Sequence, residues 1–279
     1  MKTVSIIIPA HNEASYVGDC LRAVLASDPP ANMSVKIIVA ANGCSDATSV
    51  IAQGFAGHAS ARGWQLTVLN IPQPGKLNAL NRAEAGLTDD IRLYLDADVR
   101  VDRELLRQLT AILDREGAAY ASGTPTIALP KNPLLRAYTR FWTRLPFVSE
   151  GVPGFGLFAV NAAGRARWQE FPDIISDDTF VRLHFAPHER HRAAAGYSWP
   201  MIDGLANLIC VRRRQDAGVA EVARRYPELS QNAGHHRLRP TGLTGRLMRD
   251  PAGFLAYGAI SLAVRLPVLR SKERWVRGR

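Results

Sequence analysis

Two aspartates, Asp96 and Asp98, have the types and spacing that most directly suggest chemistry in this chain. They follow the apolar run Ile91–Leu95 at positions i and i+2. In extended backbone this spacing places both carboxylates on one side of the strand. Paired carboxylates suit a hard divalent cation such as Mg²⁺ or Mn²⁺, which keeps open positions for phosphate oxygens. Alone the pair is weak evidence, because chance supplies about one such spacing and two exposed turn residues would look the same.

A second candidate is Gly75 followed by Lys76 at the predicted start of a helix. Backbone N–H groups and the helix dipole favour an anion at such a place, which indicates a phosphate contact. The spacing does not match a P-loop, and no Gly-x-Gly-x-x-Gly follows the first strand, so an ATPase and a dinucleotide dehydrogenase are disfavoured. His11 could stack on a base or hydrogen-bond to it, although a loop histidine is more often only solvated.

Two further carboxylates, Asp177 and Asp178, precede a short helical pattern that begins at about Phe180. An aspartate at a helix start often caps the first turn. The spacing therefore leaves a capping role for Asp177 open, with equal weight, beside a functional one.

Four short apolar runs alternate with helical patterns over residues 1–123. The runs are predominantly apolar and β-rich, as in the buried strands of a parallel sheet: Val4–Ile8, Lys36–Ala41, Gln65–Leu69 and Ile91–Leu95. Helices are predicted after Glu13, after Ser45 or Asp46, from about Lys76 to Ala85 and from Asp102 to Arg115. This alternation predicts a doubly wound α/β sheet, whose ligands bind beyond the carboxyl ends of the strands.

The segments that follow the four strands are polar or contain glycine. They are Pro9-Ala10-His11-Asn12-Glu13, Asn42–Asp46, Pro74–Asn81 and Asp96-Ala97-Asp98. Because the carboxyl ends of parallel strands meet at one edge of a sheet, we expect these segments to form a single site.

The composition, with 47% hydrophobic and 22% charged residues, is that of a globular protein. It excludes intrinsic disorder, a collagen-like chain and a disulfide scaffold. The three cysteines form no Cys-x-x-Cys pair, which indicates a reducing, cytoplasmic compartment. We expect no signal peptide, and no run reaches the roughly 18–20 apolar residues of a membrane-spanning helix.

The positive charge lies at one end of the chain. Residues 212–279 contain 15 Lys and Arg against five Asp and Glu, which accounts for the whole net charge of +10. This asymmetry predicts contact with an anionic surface, beside the plainer possibility of a solvated tail. As a helix, the uncharged segment Ala252–Val264 would be about 20 Å long, too short to cross the hydrocarbon layer. It predicts either peripheral contact with an anionic membrane through residues 246–279 or packing on the body or on a second subunit.

Five short motifs, in this order, resemble the inverting glycosyltransferase family 2. They are Ile-Ile-Ile-Pro-Ala-His-Asn-Glu, Asn-Gly-Cys-Ser-Asp-Ala-Thr, Gly-Lys-Leu-Asn-Ala-Leu-Asn, Leu-Asp-Ala-Asp and Asp-Asp-Thr-Phe. The resemblance covers roughly residues 3–185 and implies the GT-A fold, a Rossmann-like α/β sandwich with a mostly parallel central sheet. It divides the chain into a GT-A domain over residues 1–211, with a nucleotide-binding half (1–123) and an acceptor half (124–211), and a basic helical extension over 212–279.

The resemblance also implies roles for individual residues. Asp98, with Asp96, would hold Mg²⁺ or Mn²⁺, and Asp178 would be the catalytic base. Two departures from the family pattern are present. Ala41 stands where the family has the aspartate that recognises uracil. The Gln-x-x-Arg-Trp motif of processive synthases is missing, and this absence predicts a single transfer. The residues implied to bind the nucleotide part of the donor are Pro9, Ala10, His11, Asn12, Glu13, Asn42, Lys76, Asp96 and Ala97.

The predicted function is an inverting transfer of a sugar from a nucleotide-sugar donor, of the UDP class, to an acceptor hydroxyl in polysaccharide or glycolipid synthesis. The expected partners are the donor and a sugar or lipid-linked acceptor, without nucleic acid. The expected location is cytoplasmic and peripheral, at the inner face of the cell membrane. A non-catalytic nucleotide-sugar-binding module and a nucleic-acid-binding protein that uses the Arg-rich tail stay open as alternatives. A sugar-nucleotide pyrophosphorylase is disfavoured, because its Gly-rich basic loop is missing after the first strand.

Overall fold

A single eight-stranded sheet organises the computed structural model, which describes residues 1–202, 204–234 and 249–266. The order of strands across the sheet is β3-β2-β1-β4-β7-β6-β8-β5. Strands β1 to β4 pair in parallel with one another, whereas β7 joins β4 and β6 in antiparallel fashion. The strands are β1 (Lys2–Ala10), β2 (Met33–Asn42), β3 (Gln65–Ile71), β4 (Ile91–Leu95), β5 (Arg100–Val101), β6 (Tyr120–Ile127), β7 (Leu157–Asn161) and β8 (Arg190–Trp199).

Eleven α-helices surround this sheet within the described residues. They are α1 (Val17–Leu25), α2 (Thr48–Gln53), α3 (Ala56–Ala61), α4 (Lys76–Glu84), α5 (Leu105–Leu113), α6 (Pro133–Trp142), α7 (Pro146–Ser149), α8 (Ala162–Arg165), α9 (Asp177–Leu183), α10 (Leu205–Arg225) and α11 (Pro251–Arg265). The prediction of a mostly parallel α/β fold with a C-terminal helix is confirmed.

Alternation along β1 explains why both faces of the sheet are covered. Successive strand side chains point to opposite faces. Ile6 and Ile8 therefore pack in one hydrophobic cluster, with α1, α2, α3 and α5, whereas Ile7 packs in a second cluster, with α4 and α9. A strand buried on both faces needs a nearly continuous apolar run. In β1 this run is interrupted only by Ser5, whose buried hydroxyl donates to Asp89 Oδ2 at 2.6 Å.

The four strand predictions are confirmed, and three of the strands are longer than expected. The predicted bounds of β4 agree with the structure, but β1, β2 and β3 extend beyond their apolar runs. The additional residues pair through their backbones, for example Lys2 with Met33, so they need no apolar side chain. Helix α5 begins at Leu105, three residues after the predicted Asp102.

A third hydrophobic cluster joins helices α6, α10 and α11. The predicted domain boundary between residues 211 and 212 lies inside α10, and the division into domains stays a prediction. One face of α11 packs on α6 and α10, so packing on the body, one of the two expected outcomes for Ala252–Val264, is observed. Of the predicted membrane-contact segment, residues 246–248 and 267–279 lie outside the described residues.

No helix within the described ranges combines the length and the apolar character needed to cross a bilayer.

Candidate active site

A cleft with a volume of about 1230 Å³ opens at the carboxyl ends of β1, β2 and β4, where the sequence predicted a site. Ten of the eleven predicted site residues line it: Pro9, His11, Asn12, Glu13, Asn42, Lys76, Asp96, Ala97, Asp98 and Asp178. The segments after four different strands are thus brought to one place, together with the start of α9.

Ala10 is the exception, because its side chain faces the hydrophobic core and does not line the cleft. It lies on the same face of β1 as Ile6 and Ile8, so the period of two directs it inward. Its carbonyl oxygen instead accepts hydrogen bonds from Asn42 Nδ2 at 2.9 Å and from Cys44 Sγ at 3.4 Å. The part that Ala10 plays is therefore to hold the neighbouring loop through its backbone.

Asn42 is a buried side chain that joins three segments of the cleft wall. Its Nδ2 donates to the carbonyl oxygens of Ala10 (2.9 Å) and Ala40 (3.2 Å), and its Oδ1 accepts from the Gly75 N–H at 2.9 Å. Buried amides are satisfied in this way when they order backbone. Asn42 thus fixes the approach of the Gly75 turn to the ends of β1 and β2.

The loop after β1 is held against the loop after β2 by two further contacts. His11 Nδ1 donates to the Asn42 carbonyl at 2.6 Å, and Asn12 Oδ1 accepts from the Ser45 N–H at 2.7 Å. Asn12 adopts a positive φ of 53°, a conformation that asparagine tolerates better than most residues. These bonds shape the wall of the cleft on which the resemblance locates the nucleotide.

Lys76 is ion-paired with two carboxylates from different parts of the chain. Its Nζ lies 2.8 Å from Asp96 Oδ1 and 3.0 Å from Asp177 Oδ2. Burial disfavours the charged lysine, but the two carboxylates outweigh burial and raise the pKa of Lys76 above its usual value. Lys76 therefore fastens the start of α9 to the end of β4, and the capping role considered for Asp177 is replaced by this ion pair.

Asp178, the neighbour of Asp177, has a raised pKa, which suits its carboxylate to accept a proton. Burial and the adjacent charge of Asp177 raise the pKa of the Asp178 carboxyl to about 6, against the opposing effect of Lys76. Its Oδ1 accepts a hydrogen bond from the Thr179 N–H at 2.7 Å. A carboxylate with a pKa near 6 is ionised at neutral pH and is more basic than an ordinary aspartate, as a general base requires.

The donor set fits a hard divalent cation only in part. Within the described residues, no group of three or more His, Cys, Asp or Glu side chains converges as metal ligands, and Lys76 already engages Asp96 and Asp177. Asp96 and Asp98 line the same cleft. One or two carboxylates together with substrate phosphates are a common way to hold Mg²⁺, so these residues fit a cation that binds along with the donor.

Some residues of the cleft were not expected from the sequence. Arg214, from α10, lines it, and burial lowers the pKa of this guanidinium against the raising effect of Asp177, Asp96 and Asp178. Two aromatic side chains, Phe155 and Trp199, also line it, with ring centroids 4.9 Å apart and Trp142 packed behind them. Arg214 belongs to the run Arg212–Arg214, which the charge count assigned to the basic tail.

A family model described as glycosyl transferase family 2 matches residues 5–168, more than half of the chain. No curated protein is similar enough in sequence to count as a match.

Solved structures share the fold at low sequence identity. The mannosyltransferase PcManGT from Pyrobaculum calidifontis, in complex with GDP-Man and Mn²⁺, is 20% identical, covers 95% of this chain and 76% of its own, and has a TM-score of 0.62. Glucosyl-3-phosphoglycerate synthase from Mycobacterium tuberculosis, with Mn²⁺ and UDP-glucose, is 16% identical over 79% of this chain and 78% of its own, at a TM-score of 0.53. TarS 1–349 from S. aureus is 13% identical over 95% of this chain and 91% of its own, at 0.52.

Proposed function

The chain belongs to glycosyl transferase family 2 and has the GT-A fold, and from this premise we propose that it transfers a sugar from a UDP-sugar to an acceptor hydroxyl with inversion at the anomeric carbon. The observation that carries the proposal is the meeting of Asp96, Asp98 and Asp178 in one cleft at the carboxyl ends of the strands. A base carboxylate and carboxylates suited to a cation are the groups that this reaction requires.

The leaving diphosphate needs positive charge, because negative charge grows on it as the bond to the sugar breaks. Lys76 is already shared by two carboxylates, so its charge is largely compensated before the donor arrives. A bound Mg²⁺ or Mn²⁺ would supply counter-charge to the phosphate oxygens, with Asp98 and Asp96 as its ligands. Arg214, from α10, lies in the same cleft and adds a second positive charge.

Asp178 performs the proton transfer in the proposed mechanism. The acceptor hydroxyl gives its proton to the Asp178 carboxylate while its oxygen bonds to the anomeric carbon, and the bond from that carbon to the diphosphate oxygen breaks. Attack from the side opposite the leaving group inverts the anomeric centre, through a state with oxocarbenium character. A positioned base of this kind typically accelerates a reaction by about 10²–10⁴-fold.

Phe155 and Trp199 supply an apolar wall for the acceptor. Binding pockets combine aromatic walls with a few placed polar groups, as this cleft does. The wall is held in place because Tyr197 Oη donates to the Phe155 carbonyl at 2.8 Å and because the Asp96 N–H donates to the Gly156 carbonyl at 2.9 Å. A sugar-bearing acceptor, in polysaccharide or glycolipid synthesis, is the class proposed for it.

The pH dependence of turnover should follow the ionisation of Asp178. Because the pKa of Asp178 is raised to about 6, the base is mostly protonated at pH 5 and mostly ionised at pH 7. We expect kcat/KM to rise over this interval, with half of its maximum near pH 6. Initial rates in overlapping buffers test this, and a rate already constant from pH 4.5 upward would assign the proton transfer to an unperturbed group.

A thermal-shift series tests the donor class and the cation together. A ligand present at about 100 times its Kd adds roughly 2.7 kcal/mol to the free energy of unfolding, which corresponds to a rise of about 5 °C in Tm for a chain of this size. We expect this rise with UDP and Mn²⁺, a smaller one with UDP alone, and less with GDP and Mn²⁺. A larger shift with GDP would replace the UDP class, since Ala41 provides no carboxylate for uracil.

A further inference from the structure

Helix α11 carries an apolar face that points away from the protein. Leu255 and Leu262 are 66% and 61% exposed, and they are seven residues apart, which places them on one side of the helix. Leu266, which is 50% exposed, directly follows the end of the helix. Between Asp250 and Arg265 the helix contains no charged residue. The outward side of this segment therefore exposes leucine side chains.

The inward face and both ends of α11 are already satisfied by the protein. Ala256 and Ile260 are buried, and Tyr257 stacks on Tyr138 with ring centroids 5.7 Å apart. At the start of the helix, Asp250 accepts from the Gly253 N–H at 3.0 Å and pairs with Arg140 through two bonds of 2.8 Å.

At the end of the helix, Arg213 donates to the carbonyl oxygens of Ala263 and Val264 at 2.8 Å each. Such contacts satisfy carbonyl groups that a helix end otherwise leaves open. The helix is thus anchored at both ends, and its exposed leucines are not needed for its packing.

Positive charge frames the apolar face. Arg249 and Arg265 are exposed at the two ends of the helix. The sequence that follows Leu266 adds five Lys and Arg against one Glu, and residues 212–279 carry the entire net charge of the chain. Leucines flanked by basic residues are the pattern of a helix that lies in the interface of an anionic bilayer.

We propose that α11 docks on an anionic lipid surface, with Leu255, Leu262 and Leu266 inserted at the boundary between headgroups and acyl chains and the flanking arginines on the headgroups. A second copy of the chain is the less suitable occupant, because it would bring two strongly basic C-terminal regions together. An anionic bilayer instead complements both the leucines and the charge. The docking does not depend on which sugar is transferred.

Flotation of the full chain with phosphatidylcholine vesicles, with and without phosphatidylglycerol, tests the proposal. We expect the protein to float with the anionic vesicles and to be released partly by salt, since screening weakens the electrostatic part. The double variant Leu255→Asp/Leu262→Asp should bind at least about tenfold more weakly, because two charges replace inserted leucines. Val50→Asp, at a site on α2 that is 72% exposed, is the matched control and should float like the unchanged protein.

Three results would overturn the proposal. The unchanged protein does not float with anionic vesicles; or the double variant floats as well as the unchanged protein, which assigns binding to the basic residues alone; or light scattering shows a dimer that the double variant converts to a monomer, which assigns the face to a second copy. The double variant should keep its Tm response to UDP and Mn²⁺, and this response shows that a loss of flotation does not come from unfolding.

Discussion

The Asp178→Asn variant should lose at least about a hundredfold in kcat and keep its affinity for the donor. An amide cannot accept the acceptor proton, and removal of a positioned base typically costs about 10²–10⁴-fold. A loss confined to kcat, with an unchanged Tm response to UDP and Mn²⁺, is what an interaction made only in the transition state predicts. Single-turnover rates with a radiolabelled donor measure the chemical step directly.

The stability of the Asp178→Asn variant serves as the control for folding. In the folded protein the pKa of Asp178 is raised to about 6 from its ordinary value of 3.8, so between these values the folded state holds more protons than the unfolded state. The free energy of unfolding therefore falls as pH rises through this window. At pH 7.5 the asparagine should stabilise the protein by an amount on the order of 2 kcal/mol. A variant that is more stable and inactive separates the catalytic role of Asp178 from a structural one, whereas unchanged turnover would show that Asp178 is not the base.

The Lys76→Met variant should be strongly destabilised, because it leaves Asp96 and Asp177 without the cation that they share. Asp177 is 6% exposed, and breaking a buried ion pair by removing one partner typically costs about 3–5 kcal/mol. Since Lys76 and Asp96 retain partial contact with solvent, a loss of about 2–4 kcal/mol is expected, measured by urea denaturation at pH 7.5.

Asp177→Asn distinguishes this cause from a loss of packing. The double variant Lys76→Met/Asp177→Asn should recover more than half of the lost stability, because the stranded charge is removed along with its partner. Strictly additive effects would mean that the ion pair is not what Lys76 contributes. The Lys76→Met variant should also move the acid limb of the pH–rate profile to higher pH, because Lys76 lowers the pKa of Asp178.

The sequence was sufficient for the strand ends but not for the contacts made across them. Four apolar runs and the polar segments behind them located the cleft, because the geometry of a parallel sheet brings carboxyl ends together. The inward direction of Ala10 also follows from the period of two that it shares with Ile6 and Ile8. The resemblance to the family motif nevertheless assigned Ala10 to the nucleotide site.

Long-range partners are what the sequence could not provide. Lys76 and Asp177 are about a hundred positions apart, and no local pattern distinguishes an aspartate that caps a helix from one that is held by a distant lysine. Arg214 was counted with the basic tail for the same reason. Its place in the cleft depends on the packing of α10 in the third hydrophobic cluster, which its own sequence does not show. Local sequence therefore specifies elements, and packing decides which of their charges meet.

Consecutive arginines on α10 have a mechanical consequence. Arg213 grips the final carbonyl groups of α11, and Arg214, the next residue, lines the cleft. Because the two residues are adjacent on α10, a rotation or shift of this helix that displaces Arg213 from the end of α11 also moves the backbone of Arg214 relative to the cleft. The packing of the last helix is therefore linked to the positive charge in the cleft.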